Sequence, residues 1–168
     1  MPKKFEIIHK RVLNPEMSSI SVYAPWIAAK AKPGQFIILR SNEEAERIPL
    51  TISSHDDGLI TVIFQKAGAG TMELDLLNEG DCLADMAGPL GKPTPVEGYG
   101  RVAVLGGGLG CAIALPVARG LHEAGNQVDL IAGFRNEERV ILQDEMKAAC
   151  TDPVSYTHLR AHETEADL

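Results

Sequence analysis

The chain has 168 residues, of which 45% are hydrophobic and 23% charged, with a formal net charge of −7 at pH 7. That length accommodates one ordinary domain or two small ones, and the composition is that of a globular protein rather than a disordered tail. The negative balance without a basic cluster excludes a nucleic-acid surface, no apolar run approaches the roughly 20 residues of a membrane span, and the basic start Met1-Pro2-Lys3-Lys4-Phe5 leads into a mixed strand rather than a signal-peptide core, which reads as a cytoplasmic chain.

Residues 1–97 read as all-β. Phe5 to Val12 alternates imperfectly and Ser19 to Tyr23 cleanly, as half-buried strands do. Lys32-Pro33-Gly34 is a turn, Gln35 to Arg40 a buried strand, and Leu59 to Gln65 another, entered from the turn Asp56-Asp57-Gly58. Thr71 to Leu77 has helical spacing and stops at Asn78-Glu79-Gly80. Short strands broken by turn signals predict a small closed antiparallel barrel. The proline-rich stretch Lys92 to Gly98 then reads as a linker.

Beyond it the pattern changes. Arg101 to Leu105 is a continuous apolar strand of the parallel-sheet kind, followed by Gly106-Gly107-Gly108-Leu109-Gly110, a helix over about Cys111 to Ala124 closed by Gly125, and a strand from Gln127 to Ala132. That is a βαβ unit. Asn136 is placed to cap a further helix with Glu137 and Glu138 in its first turn, continued through Glu145 to Ala149.

The glycine run has two readings. Residues without a Cβ let the backbone approach a pyrophosphate whose charge lies against the N–H groups of a helix start. Equally, the run serves as a tight strand–helix turn with no ligand. It departs from GxGxxG, since Ala112 stands at the close-packing place, and the second strand ends in Ala132-Gly133-Phe134-Arg135 rather than in an acid. Similar alternatives attach to the barrel. Arg47, beside Glu43, Glu44 and Glu46, is either an anion ligand or one member of a solvated charge cluster, and Thr71 is either a phosphate ligand or a helix cap.

Cys82, Cys111 and Cys150 form no CxxC pair, so they assemble neither a zinc nor an iron–sulfur site and read as inert small residues. No catalytic side chain and no metal site is expected.

In their order, Lys32-Pro33-Gly34-Gln35-Phe36, Glu46 to Ile52, Phe64 to Thr71, Gly88-Pro89-Leu90-Gly91-Lys92 and Gly106 to Gly110 with Ala132 to Arg135 resemble the ferredoxin reductase-type FAD/NAD(P)-binding family over about residues 3–150. Within it the pattern is similar to the small electron-transfer subunits of ferredoxin:NADP oxidoreductases, with those of dihydroorotate dehydrogenase B as the alternative. The resemblance implies an antiparallel β-barrel FAD domain over residues 1–97 and the first part of a Rossmann-like parallel α/β nucleotide domain over residues 98–150. Residues 151–168, including the i, i+4 pair His158 and His162, then read as a non-native or disordered tail. It further implies that Pro49, Leu50 and Thr51 lie along a flavin ring with Ile52 also among the cofactor-binding residues, that Arg47 meets the FAD pyrophosphate, and that Phe64, Gln65 and Lys66 face the ribityl and adenosine parts. Gly70 and Thr71 would donate N–H groups to phosphate, and Gly106, Gly107, Gly108, Leu109, Gly110 and Arg135 would hold NAD(P), in an incomplete site. In many relatives the arginine stands three residues before the Ser/Thr; here it stands four before, with Ile48 in the usual place. The implied activity is electron transfer between NAD(P)H and FAD, passing to an iron–sulfur centre. The implied partners are a larger flavoprotein or iron–sulfur oxidoreductase subunit and, indirectly, ferredoxin. A [2Fe–2S] cluster belongs to longer relatives, and the cysteines to ligate it are not in this sequence. A barrel acting only as an interaction module is the reading from another class.

Overall fold

The computed structural model describes residues 2–151. Apart from Thr151, the expected tail, with His158 and His162, lies outside the described residues.

Six antiparallel strands form the first layer: β1 (Ile7–Asn14), β2 (Met17–Tyr23), β3 (Phe36–Arg40), β4 (Ile48–Ser54), β5 (Leu59–Gln65) and β6 (Asp85–Leu90), in the order β1-β2-β5-β4-β3-β6. The two ends of this order meet. The Ile7 N–H donates to the Asp81 carbonyl (2.8 Å), the Gly80 N–H to the Ile7 carbonyl (2.8 Å), and the Leu83 N–H to the Phe5 carbonyl (3.0 Å). These bonds, with the single bridge Glu6↔Cys82, join the start of β1 to the segment leading into β6 and so draw the two edges of the sheet together at one end, as in a partly closed barrel. Two short helices, α1 (Pro25–Ala28) and α2 (Ala69–Leu76), lie between strands, and the barrel is filled by Ile7, Ile20, Val22, Ile37, Leu39, Ile52, Ile60, Val62 and Phe64.

After the linker come β7 (Arg101–Gly107), α3 (Gly110–Glu123) and β8 (Gln127–Gly133), with β7 and β8 parallel and paired from Arg101↔Gln127 to Gly107↔Gly133. The expected antiparallel β domain followed by a partial Rossmann-like α/β unit is the architecture observed. The buried Asn126 anchors the linker. Its Oδ1 accepts from the Tyr99 and Gly100 N–H groups (2.8 and 3.0 Å), and its Nδ2 donates to the Val96 and Leu121 carbonyls (both 2.8 Å). All the bonding capacity of the amide is thereby aimed at backbone, so a buried polar side chain incurs no desolvation penalty.

One expectation needs correcting. The helix foreseen from Asn136 through Ala149 is two pieces, a single 3₁₀ turn at Glu137–Arg139 and α4 (Gln143–Ala148). Asn136 stands at the first cap position but makes no side-chain cap bond, and Leu142 adopts φ +58°. The break lets Ile141 (3% exposed) and Met146 (0%) both enter the core, which one straight helix with this spacing would not allow.

A second core, built from α3, β8 and α4, is shared with the barrel. Met17 of β2 and Ile63 of β5 pack in it beside Cys111, Leu115, Leu130 and Met146. At Gly120 of α3 an added Cβ would stand 2.8 Å from Pro33 Cγ, so a residue without a side chain lets the helix lie against the barrel.

Candidate functional site: two grooves that meet at Gln65

Alternation along β5 sends Phe64 into the barrel (1% exposed) and leaves Gln65 half-buried on the outside, facing the α/β unit. Between them, the barrel edge and the carboxyl end of the β7–β8 sheet enclose a cleft of about 960 Å³. One wall carries Glu16, Gln65 and Lys66; the other carries Leu105 to Leu109, Gly133 and Arg135. Clefts at the carboxyl ends of parallel strands are the usual ligand place in open α/β sheets.

The glycine turn divides its labour. At Gly106 an added Cβ would lie 2.8 Å from the Cys111 Cα and 3.0 Å from its nitrogen, so this position is closed by the start of α3. Gly108 adopts φ +52° and its N–H donates to the Gly133 carbonyl (2.8 Å), fixing the turn to β8. Around Gly107, Gly108 and Gly110 an added Cβ would meet nothing within 4 Å, so the backbone is open to approach. Arg135 is exposed at the end of β8 and forms no ion pair among the described residues.

A second groove of about 280 Å³ runs from the same edge along β4 to the start of α2, lined by Glu46, Arg47, Pro49, Gln65, Gly70 and Thr71 among others. The N–H groups of Ala67 and Gly68 donate to Thr71 Oγ1 (3.2 and 3.1 Å), and that hydroxyl donates to the Gly68 carbonyl (3.0 Å). Thr71 is therefore a helix cap, the second of the two readings the sequence leaves open. The backbone N–H groups of Ala69 and Gly70 in the first turn of α2 form no hydrogen bond among the described residues, which makes this end a donor surface for an anion. Gly70 is tightly enclosed, since an added Cβ would stand 2.9 Å from both Glu46 Oε1 and Ile48 Cδ1.

Arg47, Pro49, Gln65, Gly70 and Thr71 come together on one groove, and Gln65 also faces the cleft with Lys66, Gly106, Gly107, Gly108, Leu109 and Arg135. Leu50 and Thr51 are half-buried on β4, registered opposite Ile37 and Phe36 of β3. Two expectations are corrected by burial. The Phe64 and Ile52 side chains (1% and 2% exposed) point into the barrel core rather than into either groove, where strand alternation sends them, so any part they take in a ligand site is through backbone. Lys66 is also committed: its ammonium pairs with Asp75 (3.5 Å), which accepts in addition from Ser18 Oγ (2.5 Å).

Three relationships went unforeseen. Arg47 pairs with Asp85 of β6 at 3.0 Å. Asp75 sits within α2, where it gathers Lys66 and Lys10. Glu16 holds Arg139 through two bonds, 2.6 and 2.7 Å, across the cleft. All three join residues more than eight positions apart, and no local spacing announces them. Burial pushes the Cys111 thiol, under the glycine turn, up to about 11, against a smaller opposing effect of a backbone hydrogen bond with Gly133. The cleft thus offers positive charge, backbone donors and apolar wall rather than an acid–base pair.

No family model matches the chain. It is 38% identical over 144 residues to the dihydroorotate dehydrogenase B (NAD(+)) electron transfer subunit homolog of Thermotoga maritima, covering 84% of this chain and 51% of the relative. Among solved structures it is similar to an NADH-dependent reduced ferredoxin–NADP oxidoreductase described for flavin-based electron bifurcation, at 32% identity and a TM-score of 0.85, covering 93% of this chain and 60% of that one. Phthalate dioxygenase reductase shares the fold at 19% identity and a TM-score of 0.76, over 96% of this chain and 53% of that one. The chain spans about half the length of the curated relatives it matches.

Proposed function

The chain belongs to the ferredoxin reductase-type FAD/NAD(P)-binding family, and from that premise we propose that it holds FAD along the β4 groove and serves as the flavin-bearing part of an electron-transfer subunit working between NAD(P)H and a larger oxidoreductase subunit. The observation that carries this reading is the junction at Gln65. A groove with a guanidinium and a free helix start meets a cleft with an open glycine turn, so ligands in the two would touch end to end.

When bound, FAD accepts two electrons as hydride from a reduced nicotinamide and releases them singly. The chain's own residues position and shield. Arg47 would pair with the pyrophosphate, helped by the free N–H groups at the start of α2, which a carboxylate or phosphate satisfies well. Pro49 and Thr51, which share the face of β4 opposite the barrel core, would support the ring, while the Leu50 side chain packs against that core and offers only its backbone. Gly107 and Gly108, with no side chain to intrude, would admit the dinucleotide backbone, and the exposed Arg135 supplies positive charge beside it. Among the described residues no group of three or more potential ligands converges to hold a [2Fe–2S] cluster, so no step is assigned to one.

Two observations favour a partner subunit shared with dihydroorotate oxidation as much as one for ferredoxin: the curated relative is of the first kind and the similar structure of the second. Co-purification of the native complex separates them by which catalytic subunit comes with it. The central test is direct. The recombinant 168-residue chain should be yellow, or turn yellow with added FAD, and release flavin on denaturation. A colourless protein that takes up no FAD would leave the interaction-module reading in its place.

A further inference from the structure

We propose that Glu16 and Arg139 are a positioning pair that sets the width of the cleft between the barrel and the α/β unit. The proposal rests on the functional reading above for its purpose, but not for its geometry. Glu16 lies in the turn between β1 and β2, and Arg139 ends the 3₁₀ turn that follows Arg135. Arg139 donates from both terminal nitrogens to the two carboxylate oxygens at 2.6 and 2.7 Å, a fork-to-fork arrangement that fixes angle as well as distance.

Each side of this pair is itself held. The Glu16 N–H donates to Asn14 Oδ1 (2.9 Å), and the Glu16 carbonyl accepts from the Lys66 N–H (2.8 Å). Gln65 Nε2 donates to Glu16 Oε2 at 3.4 Å, and Asn14 Nδ2 reaches the Arg139 carbonyl at the same distance. A continuous run of bonds thus leads from Gln65, where the two grooves meet, through Glu16 and Arg139 to the loop that carries Arg135. Met17, next in sequence to Glu16, packs in the core shared by both units, so the carboxylate is anchored beside a buried contact. The pair is about two-fifths exposed, and an exposed pair contributes little to stability. Its bidentate geometry and its place in the lining of the cleft, joining the barrel turn to the loop after β8, account for it better as a spacer. Because hydride transfer between two bound ligands falls steeply with misplacement of even an ångström, a fixed gap is worth holding.

The test measures the gap itself. Spin labels on the native, exposed Cys82 of the barrel and on Ala124→Cys at the end of α3 report the separation of the two units in the full chain, Cys111 and Cys150 being buried. Glu16→Gln and Arg139→Lys should each broaden and lengthen the distance distribution, and Glu16→Arg combined with Arg139→Glu should restore it, while melting temperatures stay close to the parent. In FAD-loaded protein, flavin reduction by NADH should slow about tenfold in the single variants and recover in the double. An unchanged distribution in both single variants overturns the proposal, as does broadening that the exchange of charges fails to reverse. If the parent takes up no FAD, the functional reading fails, and the distance measurement still decides the spacer.

Discussion

Arg47 at the start of β4 meets Asp85 of β6 at 3.0 Å although β3 runs between their strands. The register explains it: Ile48 pairs with Leu39 and Asp85 with Arg40, so the two side chains flank the end of β3 and reach across it. The side chain is more than half exposed, and Arg47 also lines the groove proposed for the FAD pyrophosphate.

Removing Arg47 should therefore reveal a ligand contact rather than a structural one. Arg47→Ala is expected to weaken FAD binding about tenfold or more, the scale of a lost charge-assisted contact, while stability changes by less than about 1 kcal/mol. Asp85→Asn frees the guanidinium and should keep or strengthen binding. Flavin fluorescence titration beside a thermal melt checks both; unchanged affinity in Arg47→Ala removes this residue from the site.

Glu46 acts in the opposite sense. Its carboxylate lies against Gly70, where the free N–H groups of α2 favour an anion, so it competes with any phosphate for that place. Glu46→Gln should tighten FAD binding about two- to fivefold at low salt, with the gain shrinking as salt screens the charge. Weaker binding in the variant would mean that Glu46 assists the cofactor instead.

The glycine turn gives a paired prediction on stability. Gly106→Ala drives a methyl group into backbone atoms of Cys111 and should cost about 1–3 kcal/mol. Gly107→Ala meets open space and should lie within about 0.5 kcal/mol of the parent. Urea unfolding measures both. Equal losses would show that the turn is sensitive everywhere and not closed at Gly106 alone.

The buried thiol under that turn predicts an alkaline limit. Cys111 is raised from 9.0 to about 11, chiefly by burial, so the folded state retains the proton more tightly than the unfolded chain does. The corresponding stability is complete below pH 9 and is lost as the pH rises towards 11. Cys150 is raised by burial as well and adds to the same trend. Denaturant midpoints across pH 8–11 should fall, and fall less in Cys111→Ala. In the native state at pH 8, alkylation should modify Cys82 quickly and the other two slowly; rapid loss of all three thiols would contradict the burial.

Most of the architecture was legible in the sequence because it is encoded locally. Alternation at Ser19 to Tyr23, the turn at Asp56-Asp57-Gly58, and the switch to an apolar run at Arg101 to Leu105 each announce an element within a few residues. The glycine turn was legible for the same reason. What escaped is set by contacts distant along the chain. Nothing near Asn126 signals that its amide will gather four backbone groups, and nothing near Asp85 or Glu16 names an arginine partner. The helix foreseen through residues 136–149 is broken for a tertiary reason, since burying Ile141 and Met146 together outweighs local helical spacing. Phe64 was misread because a motif fixes which residues are near a ligand, whereas strand parity fixes which of them face it.

That parity has a consequence for how the chain reaches its native form. Strand β5 is a partition with a different interior on each side: Ile60, Val62 and Phe64 fill the barrel, while Ile63 fills the core under α3. A slip of one residue in its pairing with β2 would expel side chains from both interiors at once. Misregistered intermediates are thus penalised twice. The two halves of the molecule are accordingly expected to melt in one cooperative transition, with neither surviving the other as an independent folding unit.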